Sequence, residues 1–101
     1  MTDMIMEGDS AIIVPGAEIV ATSLEEVKGR LLEALALKPA VVTVEMGQTR
    51  MIDSMGIALL IAANNSLAAI NGRLKLVNVG ADIYSLMKMM RLDQHMDISA
   101  A

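Results

Sequence analysis

Short, mainly apolar runs alternate along the chain with longer stretches in which apolar residues recur every three or four positions. The runs at 11–14, 41–44 and 74–79 have the length and β-branched content of buried strands. The run at 41–44 is almost wholly apolar, which is typical of a central strand covered on both faces. Strands that alternate with helices predict βαβ crossovers. We therefore expect an α/β fold with a mixed, mostly parallel sheet of four to five strands and helices packed against it.

The first helix is marked by sequence signals at both ends. Ser23 and Glu26 have the spacing of a capping box, in which the hydroxyl and the carboxylate satisfy free amide groups of the first turn. Apolar residues then recur at helical spacing until Lys38-Pro39, where the helix is expected to end. One face of this helix should pack against the sheet and the other should face water.

Two further helices are predicted in the second half of the chain. The polar segment 46–50 indicates a loop, Met51-Ile52 briefly resumes extended structure, and a helical pattern then runs from Met55 to a C-terminal stop at Asn71-Gly72. The third helix should be capped by Asp82. Its apolar residues are Ile83, Leu86, Met87 and Met90.

The ends of the chain carry weaker signals. Met4 and Met6 on one side, and the run at 11–14 on the other, predict two strands joined by a hairpin turn at Gly8-Asp9. The tail after Asp93 is expected to be loosely held. With 101 residues, the chain predicts one domain over 1–101 with a core at about 11–92.

The composition is unusually apolar and almost free of aromatic residues. Hydrophobic residues make up 54% of the chain and the mean hydropathy is +0.53, yet Tyr84 is the only aromatic residue and there are ten methionines. Methionine fills irregular gaps in cores and is also common on adaptable binding surfaces. The surplus therefore indicates either a flexible core or a surface for a partner, which could be a second copy of the chain.

Composition and motifs argue against several classes of protein. The apolar run at 57–63 is far shorter than the roughly 20 residues that span a bilayer, and the start lacks a signal-peptide pattern, so we expect a cytoplasmic protein without membrane insertion. The net charge is −4 and the basic residues are scattered, which gives no footprint for direct nucleic-acid binding.

The residues needed for common catalytic and metal sites are also missing from the sequence. There is no cysteine, the single histidine is His95 near the end of the chain, and no Walker motif is present. We therefore expect no cofactor, no metal site and no catalytic residue.

The segment Asp53-Ser54-Met55-Gly56 lies where extended structure passes into the second helix. Free amide groups and the helix dipole at such a position favour an oxygen acceptor or an anion. Two interpretations follow from the residues alone. Asp53 or Ser54 could be an ordinary helix cap with Gly56 allowing close packing, or the segment could be a functional site.

A resemblance to a known family favours the functional interpretation. The run Met51-Ile52-Asp53-Ser54-Met55-Gly56-Ile57-Ala58-Leu59-Leu60, placed after a buried strand and opening a helix, resembles the signature of STAS-domain anti-sigma factor antagonists. The similarity extends from about Ala11 to Leu92 and includes the segments at 71–76 and 83–86. It implies a regulatory domain without catalytic activity, whose surface around the motif binds an anti-sigma factor that is also a serine kinase.

The resemblance also assigns roles to individual residues. Ser54 would be phosphorylated by the kinase and reset by a serine phosphatase, and Asp53, Ser54, Met55 and Gly56 would form the partner-binding segment. Many relatives carry an acidic residue at the position that matches Ile19, so the neighbouring Glu18 is the expected acidic contact. This chain also has Glu45 where relatives often have Asp at the end of the buried strand.

STAS domains serve other systems, and fold alone does not choose between them. One alternative is a subunit that docks on a transporter ATPase of the lipid-transport type. Another is an output module in chemosensory or stressosome-like signalling, where Ser54 would be modified without a sigma factor.

Overall fold

The computed structural model describes residues 2–101, and its elements follow the predicted alternation of strands and helices. In chain order these are β1 (Asp3–Glu7), β2 (Ser10–Val14), β3 (Glu18–Ile19), α1 (Leu24–Ala36), β4 (Val41–Glu45), β5 (Met51–Ile52), α2 (Ser54–Ala69), β6 (Arg73–Val79), α3 (Ala81–Met89), a 3-10 turn (Leu92–Gln94) and β7 (Asp97–Ala100).

The main sheet has five strands in the order β1-β2-β4-β6-β7, and β3 pairs with β5 in a separate two-stranded sheet. Only β1 runs antiparallel to its neighbour, and the other pairs in the main sheet are parallel. The predicted mixed, mostly parallel α/β sheet with packed helices is confirmed.

The N-terminal hairpin is also confirmed. Glu7 pairs with Ser10, so Gly8 and Asp9 form a two-residue loop, and Gly8 has a φ of +61°. A positive φ is common in tight hairpin turns because it matches the twist of the strands, and glycine adopts it without steric cost.

The helices cover one face of the main sheet, and the other face is open. Val42 and Val44 on β4 are fully buried, whereas Val41 and Thr43, which alternate with them, are half-buried. The prediction that this strand is central is right, but the prediction that it is covered on both faces is wrong. Alternating side chains of a strand point to opposite faces, so the core residues of β2, β4 and β6 share one face with the helices.

Two predicted helix caps are wrong, although the helices begin close to where they were expected. The Ser23 hydroxyl makes no cap; it accepts from the Val20 amide at 3.1 Å and donates to the Glu18 carbonyl at 2.9 Å. The Glu26 carboxylate accepts a hydrogen bond from the backbone amide of Thr2. At α3 the cap position is Gly80 rather than Asp82, which lies in the first turn.

The C-terminus of α2 forms where Asn71-Gly72 predicted it. Asn71 has a φ of +62°, its amide donates to the Ala68 carbonyl at 3.1 Å, and the Gly72 amide donates to the Leu67 carbonyl at 2.7 Å. These are the two hydrogen bonds of a Schellman motif.

The structure corrects the expectation of a loosely held tail after Asp93. Strand β7 pairs in parallel with β6, and Met96, only 7% exposed, packs into the core. Met96, Ile98 and Ala100 alternate with polar residues, which is a short strand pattern that the prediction did not use. Within residues 2–101, no helix is long and apolar enough to cross a membrane.

Candidate functional site

The segment predicted as the site joins the small sheet to the start of α2. Strand β5 pairs in parallel with β3, so that Glu18 lies opposite Met51 and Ile19 lies opposite Ile52. Asp53 follows directly, and Ser54 is the first residue of α2. The small sheet therefore brings Glu18, which is exposed, next to the predicted segment.

Asp53 caps α2 and also holds a second segment of the chain. Its Oδ1 atom accepts a hydrogen bond from the Gly56 amide at 2.9 Å, which is the usual geometry of an N-cap. Its Oδ2 atom accepts from the Ala21 amide at 3.0 Å, in the loop before α1 and 32 residues away. One carboxylate thus fixes the start of α2 relative to the loop that follows β3.

These hydrogen bonds change the acidity of Asp53. The amides of Gly56 and then Ala21 donate to the charged form and hold the pKa of the Asp53 carboxyl below its usual value. The group is therefore a carboxylate at neutral pH, and negative charge is already present beside Ser54.

Ser54 is exposed at the first position of α2. Because Asp53 supplies the cap, the hydroxyl of Ser54 is not needed for that role, and it makes no hydrogen bond to any of residues 2–101. Free amide groups at a helix N-terminus stabilise added negative charge. Negative charge added at this position would therefore be compatible with the end of the helix.

Gly56 is buried beneath this segment rather than exposed on it. A Cβ at this position would lie 2.1 Å from the Ile19 carbonyl oxygen and 2.8 Å from Cγ1 of Ile52. Only glycine allows α2 to approach the small sheet so closely. Gly56 therefore sets the position of its exposed neighbours Ser54 and Met55.

An apolar groove of about 410 Å³ opens beside Ser54, between the N-terminal half of α2 and the exposed side of α3. We call it the Ser54 groove, and it is lined by Ile52, Asp53, Ser54, Ile57, Ala58, Ile61, Leu86 and Met90. Leu86 and Met90 are 38% and 46% exposed. Met51 and Met55, beside Asp53 and Ser54, are 54% and 51% exposed. The methionine surplus therefore extends onto this surface.

The contribution of α3 to this surface was not predicted. The sequence placed Ile83, Leu86, Met87 and Met90 together as one apolar stripe, but only Ile83 and Met87 are buried. The signal that could have found the groove is the width of that stripe, which exceeds what a nine-residue helix needs to pack on a sheet.

Glu45 lies at the end of β4 and anchors the following loop. Its Oε1 atom accepts from the Gly47 amide at 3.1 Å and from Nδ2 of Asn78 at 2.7 Å. Asn78 has a φ of +54°, at the point where the β6–β7 register is irregular. The longer carboxylate thus links the carboxyl ends of two neighbouring strands.

Among residues 2–101, no group of three or more histidine, cysteine, aspartate or glutamate side chains lies together in a way that could hold a metal ion. His95 is exposed, and its backbone carbonyl accepts a hydrogen bond from Nδ2 of Asn64.

Comparison with protein families gives one match, to the STAS domain, over residues 3–101. No match is found among curated proteins. Several solved structures share the fold. An anti-sigma factor antagonist from Mycobacterium paratuberculosis has a TM-score of 0.88 at 15% identity, covering 100% of this chain and 86% of that chain.

Two further structures represent different uses of the fold. The Bacillus cell fate determinant SpoIIAA, in its phosphorylated form, has a TM-score of 0.77 at 17% identity, covering 97% of this chain and 90% of that chain. The murine anion transporter Slc26a9 has a TM-score of 0.76 at 15% identity, covering 92% of this chain but only 16% of that chain. At these identities the structures show a common fold.

Proposed function

Because the chain belongs to the STAS family, we propose that it is an anti-sigma factor antagonist switched by phosphorylation of Ser54. In the unphosphorylated state it binds an anti-sigma factor that has serine kinase activity, and so frees a sigma factor for transcription. Phosphorylation by that kinase releases the complex, and a serine phosphatase restores binding. These events take place in the cytoplasm.

The observation that carries the proposal is the exposed hydroxyl of Ser54 at the edge of the Ser54 groove. Asp53 already caps α2, so the fold does not use this hydroxyl. Solved structures of SpoIIAA, a protein of the same fold, include an unphosphorylated and a phosphorylated form. A hydroxyl that is accessible, has no role in the fold and lies next to an apolar surface is suited to regulate binding at that surface.

The electrostatics of the site explain how modification would release a partner. A phosphoryl group adds about −1.5 to −2 charges at neutral pH. The helix N-terminus tolerates that charge in water, but an interface packed over the groove would have to desolvate it beside the Asp53 carboxylate. Phosphorylation therefore weakens binding while the domain stays folded.

The proposal assigns the chain a regulatory role and no reaction of its own. Asp53, Ser54 and Met55 contact the partner, Glu18 contributes an acidic contact at the margin, and Gly56 acts through the position of α2. ATP and its phosphate-binding site belong to the kinase.

The test is affinity capture from extract of the source cells, with wild-type, Ser54→Ala and Ser54→Asp chains as baits. Ser66→Asp is the matched control, because Ser66 is exposed on the same helix about 18 Å further along its axis. We expect a kinase-like anti-sigma factor with wild type, Ser54→Ala and Ser66→Asp, and its loss with Ser54→Asp. Incubating the captured complex with ATP should phosphorylate wild type at Ser54.

The second candidate function is a subunit that docks permanently on a transporter. The similarity in fold to part of the anion transporter Slc26a9 favours it. A docking subunit would recover the same transporter component with all four baits. That result, or undiminished capture of the anti-sigma factor by Ser54→Asp, would refute the phosphorylation switch.

A further inference from the structure

The face of the main sheet opposite the helices is open and carries an ordered pattern of side chains. Alternation along the strands places every second residue on this face. The strand register aligns Ile5, Ile12, Thr43 and Lys75 in one row, and Glu7, Ser10, Val41 and Arg73 in the next. Asp3 and Val14 continue the pattern on β1 and β2. We call this surface the open face.

Charges on the open face are separated by sign. Strand β1, at one edge, presents Asp3 and Glu7, and both are exposed. Strand β6, three positions across the sheet, presents Arg73 and Lys75, also exposed. The face is therefore acidic along β1 and basic along β6, and the outer strand β7 adds Asp97, which is in register with Lys75 and pairs with Arg73.

The strands between the two charged sides present mainly apolar groups. On β2 and β4 these are Ile12, Val14, Val41 and Thr43, all half-buried although no helix covers them. Ile5 on β1 is 51% exposed. An apolar strip with opposite charges on its two sides has the composition of a small interface, with a hydrophobic centre and a polar rim.

We propose that the open face binds a second copy of this chain, with the two sheets stacked face to face. The twofold axis runs parallel to the strands and lies between β2 and β4. Rotation about this axis places β1 of one copy over β6 of the other, and β2 over β4. Glu7 then lies over Arg73 of the second copy, Ile5 lies over the stem of its Lys75, and the apolar strips meet at the centre.

This arrangement satisfies the rules for both sheet packing and symmetry. Stacked sheets lie about 10 Å apart with their strands within about 30° of each other, and a twofold interface uses the same patch on both copies. The contact between β1 of one copy and β6 of the other therefore occurs twice in the dimer. The intramolecular ion pair of Arg73 with Asp97, at 2.7 Å, leaves other donors of the guanidinium for Glu7.

The same charges disfavour another mode of association, in which two copies pair through their β1 edges. Antiparallel pairing of two β1 edges, centred on Ile5, would put Asp3 directly opposite Glu7 of the second copy. Like charges directly opposite each other destabilise a strand pair. The acidic residues of β1 therefore oppose extension of the sheet at this edge while they favour face-to-face stacking.

The size of the face sets the strength of the dimer. Four strands of five residues span about 19 Å by 17 Å, which is smaller than the patch of about 800 Å² per partner in a standard interface. We therefore expect a reversible dimer that dissociates on dilution. Because much of its attraction comes from exposed charges, added salt should weaken it.

The dimer is independent of the proposed anti-sigma factor complex. The Ser54 groove lies between α2 and α3, in the helix layer on the other side of the sheet. Both surfaces can be occupied at once, so the experiment below needs no partner protein, and its failure leaves the proposed function untouched.

The experiment is analytical ultracentrifugation of the full chain over a range of concentrations. Wild type should form a dimer whose dissociation constant rises when the salt concentration is raised from about 0.05 M to about 0.5 M. Arg73→Glu and Glu7→Lys should each raise that constant at least about tenfold, because each places like charges opposite each other at the contact between positions 7 and 73 of the two copies.

Two combinations make the test specific. An equimolar mixture of Arg73→Glu and Glu7→Lys chains should form a heterodimer, and the double variant E7K/R73E should dimerise again, because both restore opposite charges between positions 7 and 73. Lys28→Glu is the matched control, with the same change of charge on the exposed side of α1, and it should dimerise like wild type. Thermal unfolding of each variant verifies that it is folded.

Three results would overturn the proposal. One is a wild-type chain that stays monomeric at every concentration and salt, which would leave the open face to a different protein. Another is a mixture and a double variant that remain as weak as the single variants. The third is a Lys28→Glu chain that loses the dimer as fully as Arg73→Glu does.

Discussion

Gly56 on α2 lies directly against the backbone of Ile19 on β3, and a Cβ at residue 56 would be 2.1 Å from the Ile19 carbonyl oxygen. Backbone atoms cannot move aside as a flexible side chain can. The contact therefore fixes how closely the helix that begins at Ser54 approaches the small sheet, and it connects a local choice of residue to the geometry of the site.

Gly56→Ala should lower the free energy of unfolding by about 1–3 kcal/mol or more, because the added methyl group forces α2 away from β3. Gly29→Ala is the control, since nothing lies within 4 Å of a Cβ at that position on α1. It should stabilise the protein by about 0.5–1 kcal/mol. Urea unfolding of both variants measures the difference, and equal effects would contradict this account.

Asp53 makes stability depend on pH in the acid range. Its pKa is lowered in the folded chain by the amides of Gly56 and Ala21. Stability from such a group is fully present above the unfolded pKa, which is about 4, and is lost as the pH falls through the folded pKa. The urea midpoint of wild type should therefore fall as the pH is lowered in this range.

Asp53→Asn keeps a side-chain oxygen for the cap but removes the titrating group, so its midpoint should change less with pH. The same reasoning applies to Glu26, whose pKa is lowered chiefly by the backbone amide of Thr2. Asp53→Asn and wild-type curves that run parallel down to acid pH would show that Asp53 does not titrate abnormally.

Met90 and Met89 offer a matched pair for testing the Ser54 groove. Met90 lines the groove, whereas its neighbour Met89 is 82% exposed and lies outside it. Met90→Ser should weaken capture of the anti-sigma factor at least about tenfold, as loss of an apolar anchor does at other interfaces. Met89→Ser should bind like wild type. Equal binding by both variants would place the partner elsewhere.

Met96 tests whether the C-terminal segment is part of the core. Its side chain is 7% exposed and belongs to the same cluster as Leu92 and Met87. Met96→Ala should cost about 2–5 kcal/mol, the usual effect of removing a buried side chain of this size. Ser99→Ala on β7 is exposed and should have little effect. Denaturant unfolding compares the two, and a stable Met96→Ala chain would mean that the tail is dispensable.

The elements that the sequence predicted correctly have signals that are local in the chain. The hairpin at Gly8-Asp9 depends on a backbone conformation that glycine favours, and the end of α2 depends on Asn71 adopting a left-handed one. The central strand β4 was recognised from its β-branched residues. Each of these signals lies within a few neighbouring residues, although β4 is completed by pairing with β2 and β6.

The predictions that failed depend on competition between several possible hydrogen-bond partners. Ser23 and Glu26 have the spacing of a capping box, but Ser23 binds Glu18 and Val20 just before the helix, and Glu26 binds the backbone of the distant Thr2. Strand β7 forms because β6 offers it an unpaired edge. Such outcomes depend on the tertiary fold, which local spacing does not describe.

In the candidate site, too, the features with local sequence signals were predicted and those that depend on the tertiary fold were not. The position of Asp53 and Ser54 at the start of a helix followed from the order of strand and helix signals. The bond from Ala21 to Asp53 and the wall that Leu86 and Met90 supply depend on how β3 and α3 dock, and were missed.

The exposed residues in and beside the Ser54 groove also bear on how such domains diversify. Leu86, Met90 and Met55 can be replaced without creating a cavity, because none of them is buried. Cells that contain several related switches need each one to reject the partners of the others, and that discrimination comes from differences in affinity at the contact surface. This architecture lets duplicated copies acquire new partners by surface substitution while Asp53 and Gly56 keep Ser54 in place.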